Sequence, residues 1–537
     1  MFGAHQANEW STYAEFPGQR FETLFGQRVV RCFADRPRSM YELFSGAVAQ
    51  NPDGEALVHA GRRWRYKEVE DQVAAVAAGL QDRGMASGAR LAILMENSLE
   101  YVIILFAAAK IGAISVPLNI REGRAEISHV IKDCAATLLI CSKQFIEKID
   151  KDVHNFTKVE PLDTTSEDPL KALRGRVSVA SPAEVLETDT AVILYTSGTT
   201  GQPKGAMLSH VNLVHSAMHY RFAMEMSKED RSVIAVPMSH VTGLVALILT
   251  VASAGACLII MDEFKAESFV DIAASEAMTH TLLVPAMFAL CLLRPDIGGK
   301  DLSRWRVSGY GGAIMPEATL ARIAEVLPQL SLINCYGATE TTSPAVMMPP
   351  EHASARAHQV GLPVICGDVL VMDEHGREVG PGEDGEIWIS GPMVVSGYWN
   401  NPKATAAEFV GGYWKSGDLG RKDEGGFLQI VDRIKDIINR GGYKIPASEV
   451  ENAILSDDDI IEVAVVAKPC PVLGERVHAF IVTKPEFQVG TVIDACRQRL
   501  ADYKVPEQFH VVEQLPRNAN GKVLKRVLRD EFEISKK

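Results

Sequence analysis

No two of the nine cysteines stand at CxxC spacing, and the nearest pair, Cys134 and Cys141, has no His or Cys partner at metal-ligand spacing. That excludes a zinc ribbon or a disulfide framework as the organising device. A chain of 537 residues can bury enough core to need neither. Scattered reduced thiols point to a cytoplasmic compartment. No basic stretch followed by an apolar run opens the sequence, so no signal peptide is expected. The closing Ile534-Ser535-Lys536-Lys537 matches neither a peroxisomal nor a lipidation ending.

An excess of positive charge is also missing. The net charge of −13 excludes a nonspecific nucleic-acid binder. The acidic excess lies before Arg433; beyond it acidic and basic residues nearly balance, which accords with two domains. No repeat of 20–50 residues is present. One apolar run, 243–261, is long enough to span a bilayer. Ser253-Ala254-Gly255-Ala256 interrupts it, and Asp262, Glu263 and Lys265 close it without a basic flank. The expectation is a buried helix and a short buried strand, with no integral membrane span.

What is present is alternation. Helical spacing over 65–84 (Val69, Val73, Val76, Leu80) is followed by an apolar strand pattern at 90–95, a helix at 99–111 and a strand at 113–117. The same alternation over 41–430 predicts an α/β body of largely parallel sheets flanked by helices, with the first forty residues a loose lead-in. Near Asp432 the pattern changes. A helix opening at Pro446, strands at 461–467 and 477–483, and a helix at 492–499 make a small α+β unit. The expected domains are 1–432 and a small, mobile C-terminal domain, 433–537.

The chemistry begins at a loop between two strand patterns, 191–195 and 206–210. It reads Thr196-Ser197-Gly198-Thr199-Thr200-Gly201-Gln202-Pro203-Lys204-Gly205. Glycines let backbone N–H groups approach a phosphate, the hydroxyls add donors and Lys204 adds a mobile positive charge. The loop is not the GxxxxGK[ST] loop of P-loop NTPases, because Gly205 follows Lys204 and only two residues separate it from Gly201.

The stretch 195–205 resembles the phosphate-binding motif of the ANL superfamily of adenylating enzymes, which holds acyl-CoA and aryl-CoA synthetases, peptide-synthetase adenylation domains and beetle luciferases. Further matches follow in the family's order and cover about 41–529. Pro237-Met238-Ser239-His240-Val241-Thr242-Gly243 is similar to PxxHxxG and implies that His240 lies beside the incoming carboxylate. Gly311-Gly312-Ala313 resembles the wall of the adenine site, although a tight turn explains the glycines equally well. Tyr336-Gly337-Ala338-Thr339-Glu340 is similar to YGxTE. The resemblance implies that Tyr336 stacks on adenine, Thr339 bonds the phosphate and Glu340 holds Mg²⁺, a hard cation that prefers oxygen ligands.

Trp414-Lys415-Ser416-Gly417-Asp418 and Arg433 resemble the ribose contacts, and Lys435 falls at the family's hinge. Gly441-Gly442 resembles the glycines that line the pantetheine tunnel, though a hairpin turn has the same requirement. Asn518-Ala519-Asn520-Gly521-Lys522 fits the last motif, whose lysine catalyses adenylation. Val241, Thr242, Tyr310, Gly311 and Thr342 are the implied acyl-pocket residues. Amino-acid-activating relatives carry an Asp near the histidine segment; none is present here, which favours an acid without an α-amino group.

The implied reaction couples a carboxylic acid to coenzyme A with ATP and Mg²⁺, through an acyl-adenylate, giving AMP and pyrophosphate. Aromatic, medium aliphatic and carnitine-like acids all stay open, as does a monomer or a homodimer. Alternatives are an adenylation enzyme loading a carrier protein, a luciferase-type oxygenase and a nucleotide-binding scaffold. An ADP-forming kinase lacks its motif. Two outcomes are expected. Lys522→Ala loses adenylation but retains thioester formation from supplied acyl-AMP; equal loss of both steps removes its role. Lys435→Pro locks one domain orientation and damages the two half-reactions unequally in single-turnover assays.

Overall fold

The computed structural model describes the chain except residues 1–9, 11–14, 176–180, 197–202, 295–296, 314, 458, 486–488, 518–522 and 535–537. It divides into two compact units, Met1–Val369 with Ile389–Lys415, and Leu370–Trp388 with Ser416–Lys537. This division lies upstream of the expected 432/433 boundary. Strand Leu428–Arg433 pairs antiparallel with the Tyr413–Lys422 strand, so the residues before Arg433 go with those after it.

The first unit carries two sheets. In the nine-stranded sheet, strands Ser331–Tyr336, Val307–Tyr310, His280–Leu283, Arg231–Ile234, Cys257–Ile260 and Glu55–His59 are neighbours in that order, all parallel. In the six-stranded sheet, Thr190–Thr196, Ile114–Pro117, Arg90–Leu94, Leu138–Ser142 and Lys158–Leu162 are also parallel. Lys204–Ser209 closes its edge antiparallel to Thr190–Thr196. Near-continuous apolar strands suit sheets covered on both faces.

Helix Leu99–Lys110 shows why the layers hold. Ser98 caps it by accepting from the Tyr101 N–H at 3.2 Å, and every residue of the helix is buried. It touches a strand of each sheet. Its two charges are paired: Glu100 with Arg62 at 2.7 Å and Lys110 with Glu70 at 2.7 Å. The apolar run at 243–261 is buried within the unit: helical Thr242–Leu249 and Thr250–Ala254, a left-handed Gly255, then strand Cys257–Ile260. Among the described residues no helix is long and apolar enough to cross a membrane.

Two expectations are corrected. Within the expected loose lead-in of forty residues, Gln19–Leu24 and Arg28–Phe33 pair as a hairpin. Phe33 stacks on His215, 5.5 Å between ring centroids, which buries the hairpin's end against helix His210–Ala223. Parallel βα alternation also stops short of 430. Within Val346–Arg433, Val346–Met347 pairs antiparallel with Leu362–Pro363, and Tyr413–Lys422 pairs antiparallel with Phe409–Val410 and with Leu428–Arg433; the α-helix of this span is Pro402–Glu408.

The second unit contains a sheet in the order Tyr443–Ile445, Ile438–Arg440, Gly474–Thr483 and Ile460–Cys470, with Gln508–Val511 pairing parallel to Gly474–Thr483. Helices Ala447–Ile454 and Val489–Arg499 supply Val450, Ile454, Val492 and Cys496 to one core with Ile438, Val465 and Ala479.

Arg36 ties the N-terminal hairpin to the segment that leads into the phosphate loop. Its guanidinium has no exposed surface and bonds both oxygens of Glu22 (2.9 and 2.8 Å) and of Glu187 (2.8 and 3.0 Å). Bonding to Arg36 holds the Glu22 carboxyl down at about 2. A depressed carboxyl stabilises the fold above its unfolded value of 4.5 and loses that contribution as pH falls through about 2. Glu22→Gln is therefore expected to cost about 1–2 kcal/mol at neutral pH, a partly screened pair with one partner left in place. The difference from wild type shrinks below pH 4.5 and disappears near 2 in denaturant unfolding followed across pH.

Candidate active site

Parallel pairing sends the loops after Arg231–Ile234, Val307–Tyr310 and Ser331–Tyr336 off the same edge of the nine-stranded sheet. Those loops hold His240, Gly311-Gly312-Ala313 and Tyr336-Gly337-Ala338-Thr339-Glu340. The crevice outside the carboxyl ends of parallel strands is the usual ligand position in such folds.

Tyr310 lies opposite Asn334 in the parallel register, so the 311–313 and 336–340 segments leave adjacent strands. Gly311 has a packing reason: a Cβ there would stand 2.3 Å from the Cys335 carbonyl oxygen. Tyr310 is buried, Ala313 exposed, and Tyr336, Gly337 and Thr339 half-buried. Thr342, just beyond, is fully buried with φ +51°, an unusual conformation for a β-branched residue, and its hydroxyl has no partner. Such strain clusters at ligand sites.

His240 is positioned through its Nδ1, which accepts from the Thr242 N–H at 3.3 Å and lies 3.1 Å from the Thr242 hydroxyl. That assigns the ring proton to Nε2. Burial lowers its pKa, so the ring is neutral and offers one hydrogen-bond donor. Val241 beside it is buried and Thr242 half-buried.

The phosphate-loop residues Ser197, Gly198, Thr199, Thr200 and Gly201 lie outside the described residues. Its two ends are described. The Thr196 hydroxyl donates to the Lys204 carbonyl at 3.4 Å. The Lys204 ammonium is ion-paired with Glu408 and stands 4.7 Å from the centroid of the Tyr398 ring.

Tyr398 links that pair to the expected metal ligand. Its phenol oxygen is 2.8 Å from Glu340 Oε1 and 2.5 Å from Glu408 Oε2. Burial is the largest contribution raising the Glu340 pKa, and the nearby Glu408 charge adds to it. The Glu340 carboxylate offers the oxygen donors a Mg²⁺ ion prefers, so it fits that cation.

Tyr398 and Glu408 were not among the residues singled out from sequence. Their segment is held by backbone contact and by distant side chains. Ala206 bridges Tyr398, the Trp399 N–H donates to Gly205 O at 2.7 Å, and the Val395 N–H to Glu340 O at 3.0 Å. Asn212 Nδ2 donates to Pro392 O at 2.7 Å and Arg28 Nη1 to Val395 O at 2.8 Å. Asn401, capping helix Pro402–Glu408, and Pro402 at its first position are local signals, and they announce a helix rather than an acid at its end.

The remaining expected residues lie in the second unit. Asp418 and Arg433 are cross-strand partners, with Arg433 Nε 3.2 Å from Asp418 Oδ1. Lys435 sits on the turn Ile434–Asp436, where burial lowers its pKa, and Arg529 donates to its carbonyl at 3.3 Å and to Asp436 at 2.5 Å. Gly441 (φ +59°) and Gly442 (φ +92°) make the two-residue turn between Ile438–Arg440 and Tyr443–Ile445, as the hairpin alternative requires. Lys522 lies outside the described residues.

Comparison with known proteins agrees with these motifs. The AMP-binding enzyme family model matches residues 44–399, and the AMP-binding enzyme C-terminal domain matches 449–522. An indoleacetate–CoA ligase of Aromatoleum aromaticum is 33% identical over 88% of this chain and 94% of its own length. A long-chain-fatty-acid–CoA ligase of Mycobacterium tuberculosis, FadD13, is 32% identical over 84% and 89%. The solved o-succinylbenzoate coenzyme A synthetase of Bacillus subtilis, in complex with ATP and magnesium, superposes with a TM-score of 0.82 at 27% identity, covering 91% of this chain and 99% of that one. The chain belongs to the AMP-binding enzyme family, within the ANL superfamily of adenylating enzymes.

Proposed function

We propose that this protein is an ATP-dependent carboxylic acid–CoA ligase acting on an aromatic or small to medium aliphatic acid without an α-amino group. The observation that carries this reading is the pair of family matches in order along one chain, with Lys204 and Glu340 joined through Glu408 and Tyr398 at the carboxyl edge of the sheet. Relatives named for an indole acid and for long-chain fatty acids support a carboxylic acid and leave its class broad.

The reaction sets anion against anion. A carboxylate oxygen attacks the α-phosphorus of ATP, the bond to the leaving pyrophosphate breaks, and an acyl-adenylate forms. Lys522 offsets the charge at the α-phosphate, and Lys204 with the loop of Thr196 to Gly201 offsets that of the pyrophosphate. Glu340 would hold Mg²⁺, which supplies further charge neutralisation. Neutral His240 donates from Nε2 to orient the acid without stabilising it as a counter-ion. Tyr336 and Gly311-Gly312-Ala313 take the adenine, and Asp418 and Arg433 the ribose. The CoA thiol then attacks the acyl carbon, AMP leaves, and no covalent enzyme intermediate is needed.

Lys522 and Gly441-Gly442 serve different half-reactions from one small unit. Reorientation of that unit about Lys435 answers this conflict, as hinges absorb backbone change at few residues. The test is AMP and pyrophosphate release with MgATP and CoA across benzoates, cinnamates, C4–C12 acids and betaines. AMP release with one acid, and a thioester of matching mass, is the expected outcome. ATP binding without AMP from any acid overturns the ligase reading.

A further inference from the structure

Lys204 is not free to meet a polyphosphate. Its ammonium is paired with the Glu408 carboxylate, and both side chains are largely removed from solvent, at 12% and 32% exposure. Glu408 cannot simply follow the lysine elsewhere. Its other oxygen, Oε2, is held 2.5 Å from the Tyr398 hydroxyl, and Tyr398 is itself held 2.8 Å from buried Glu340. The acid also ends helix Pro402–Glu408, whose first turn is capped by Asn401 at 3.0 Å. A fixed carboxylate thus occupies the lysine that the loop offers to an anion. Any phosphate that takes Lys204 must displace Glu408 from it and accept a second negative charge nearby.

We propose that Glu408 is a positioning residue that holds Lys204 between turnovers and competes with the polyphosphate for it, so that it limits how tightly ATP and pyrophosphate bind. The proposal rests on the reading of Lys204 as a phosphate-binding residue. Competition of this kind favours release of pyrophosphate, the more highly charged product, while Glu408 keeps the lysine ordered when no nucleotide is present. A residue that merely braced the helix end would behave otherwise, because Gln keeps the size of Glu and an oxygen for the Tyr398 hydroxyl.

Calorimetric titration of the full chain with MgATP, pyrophosphate and AMP separates the two. Glu408→Gln is expected to tighten MgATP and pyrophosphate by about three- to tenfold, the range of a partly screened ion pair, and to leave AMP within about twofold. AMP lacks the phosphates for which the lysine is held. Lys204→Ala is expected to weaken MgATP, and in that background Glu408→Gln is expected to recover much less. Weaker MgATP binding in Glu408→Gln, or an equal change for AMP, overturns the competition and leaves the role of Lys204 standing. Unchanged MgATP affinity in Lys204→Ala instead removes the phosphate-binding reading, and the proposal with it.

Discussion

Strand direction is the constraint on which the first unit depends. Six neighbouring strands of the nine-stranded sheet run parallel, and each connection between them must cross a face and return. The turns that follow their carboxyl ends therefore gather at one edge. Residues as distant in sequence as His240, Gly311 and Glu340 share that edge without any direct bond between them. Helix Leu99–Lys110, buried on all sides against both sheets, makes the arrangement stiff.

On that frame several buried charges are paired. Arg36 is satisfied by two carboxylates, Lys110 by Glu70, and Lys204 by Glu408. The cluster around Tyr398 adds a phenol within hydrogen-bond reach of two acids, Glu340 and Glu408. Burial raises the Glu340 pKa. The second unit has its own core, and its functional candidates lie on paired strands (Asp418, Arg433), on the turn at Lys435 and on the Gly441-Gly442 hairpin turn.

Much of the site was legible because the chemistry comes in short contiguous words. The stretches around Thr196–Lys204, Tyr336–Glu340 and Asp418 each combine residue types suited to phosphate, cation or ribose recognition. Gly311 was legible as a special position, but its reason was not. The Cys335 carbonyl that excludes a Cβ belongs to a neighbouring strand.

Tertiary structure alone decided the rest. The hairpin at Gln19–Phe33 carries little periodicity, and its place comes from Phe33 packing on His215 and from Arg36 reaching Glu187. Antiparallel pairing over 346–433 has the same alternating signal as parallel strands, because periodicity reports which face is buried and not the direction of the neighbour. Tyr398 and Glu408 look like an ordinary loop tyrosine and an ordinary helix-end acid. They become part of the site when Ala206 and Gly205 pair with Tyr398 and Trp399, more than 190 residues away. The sequence by itself determined the local chemistry of each motif, since that chemistry depends on adjacent side chains. Which charges meet was determined by long-range backbone pairing, for which no local pattern exists.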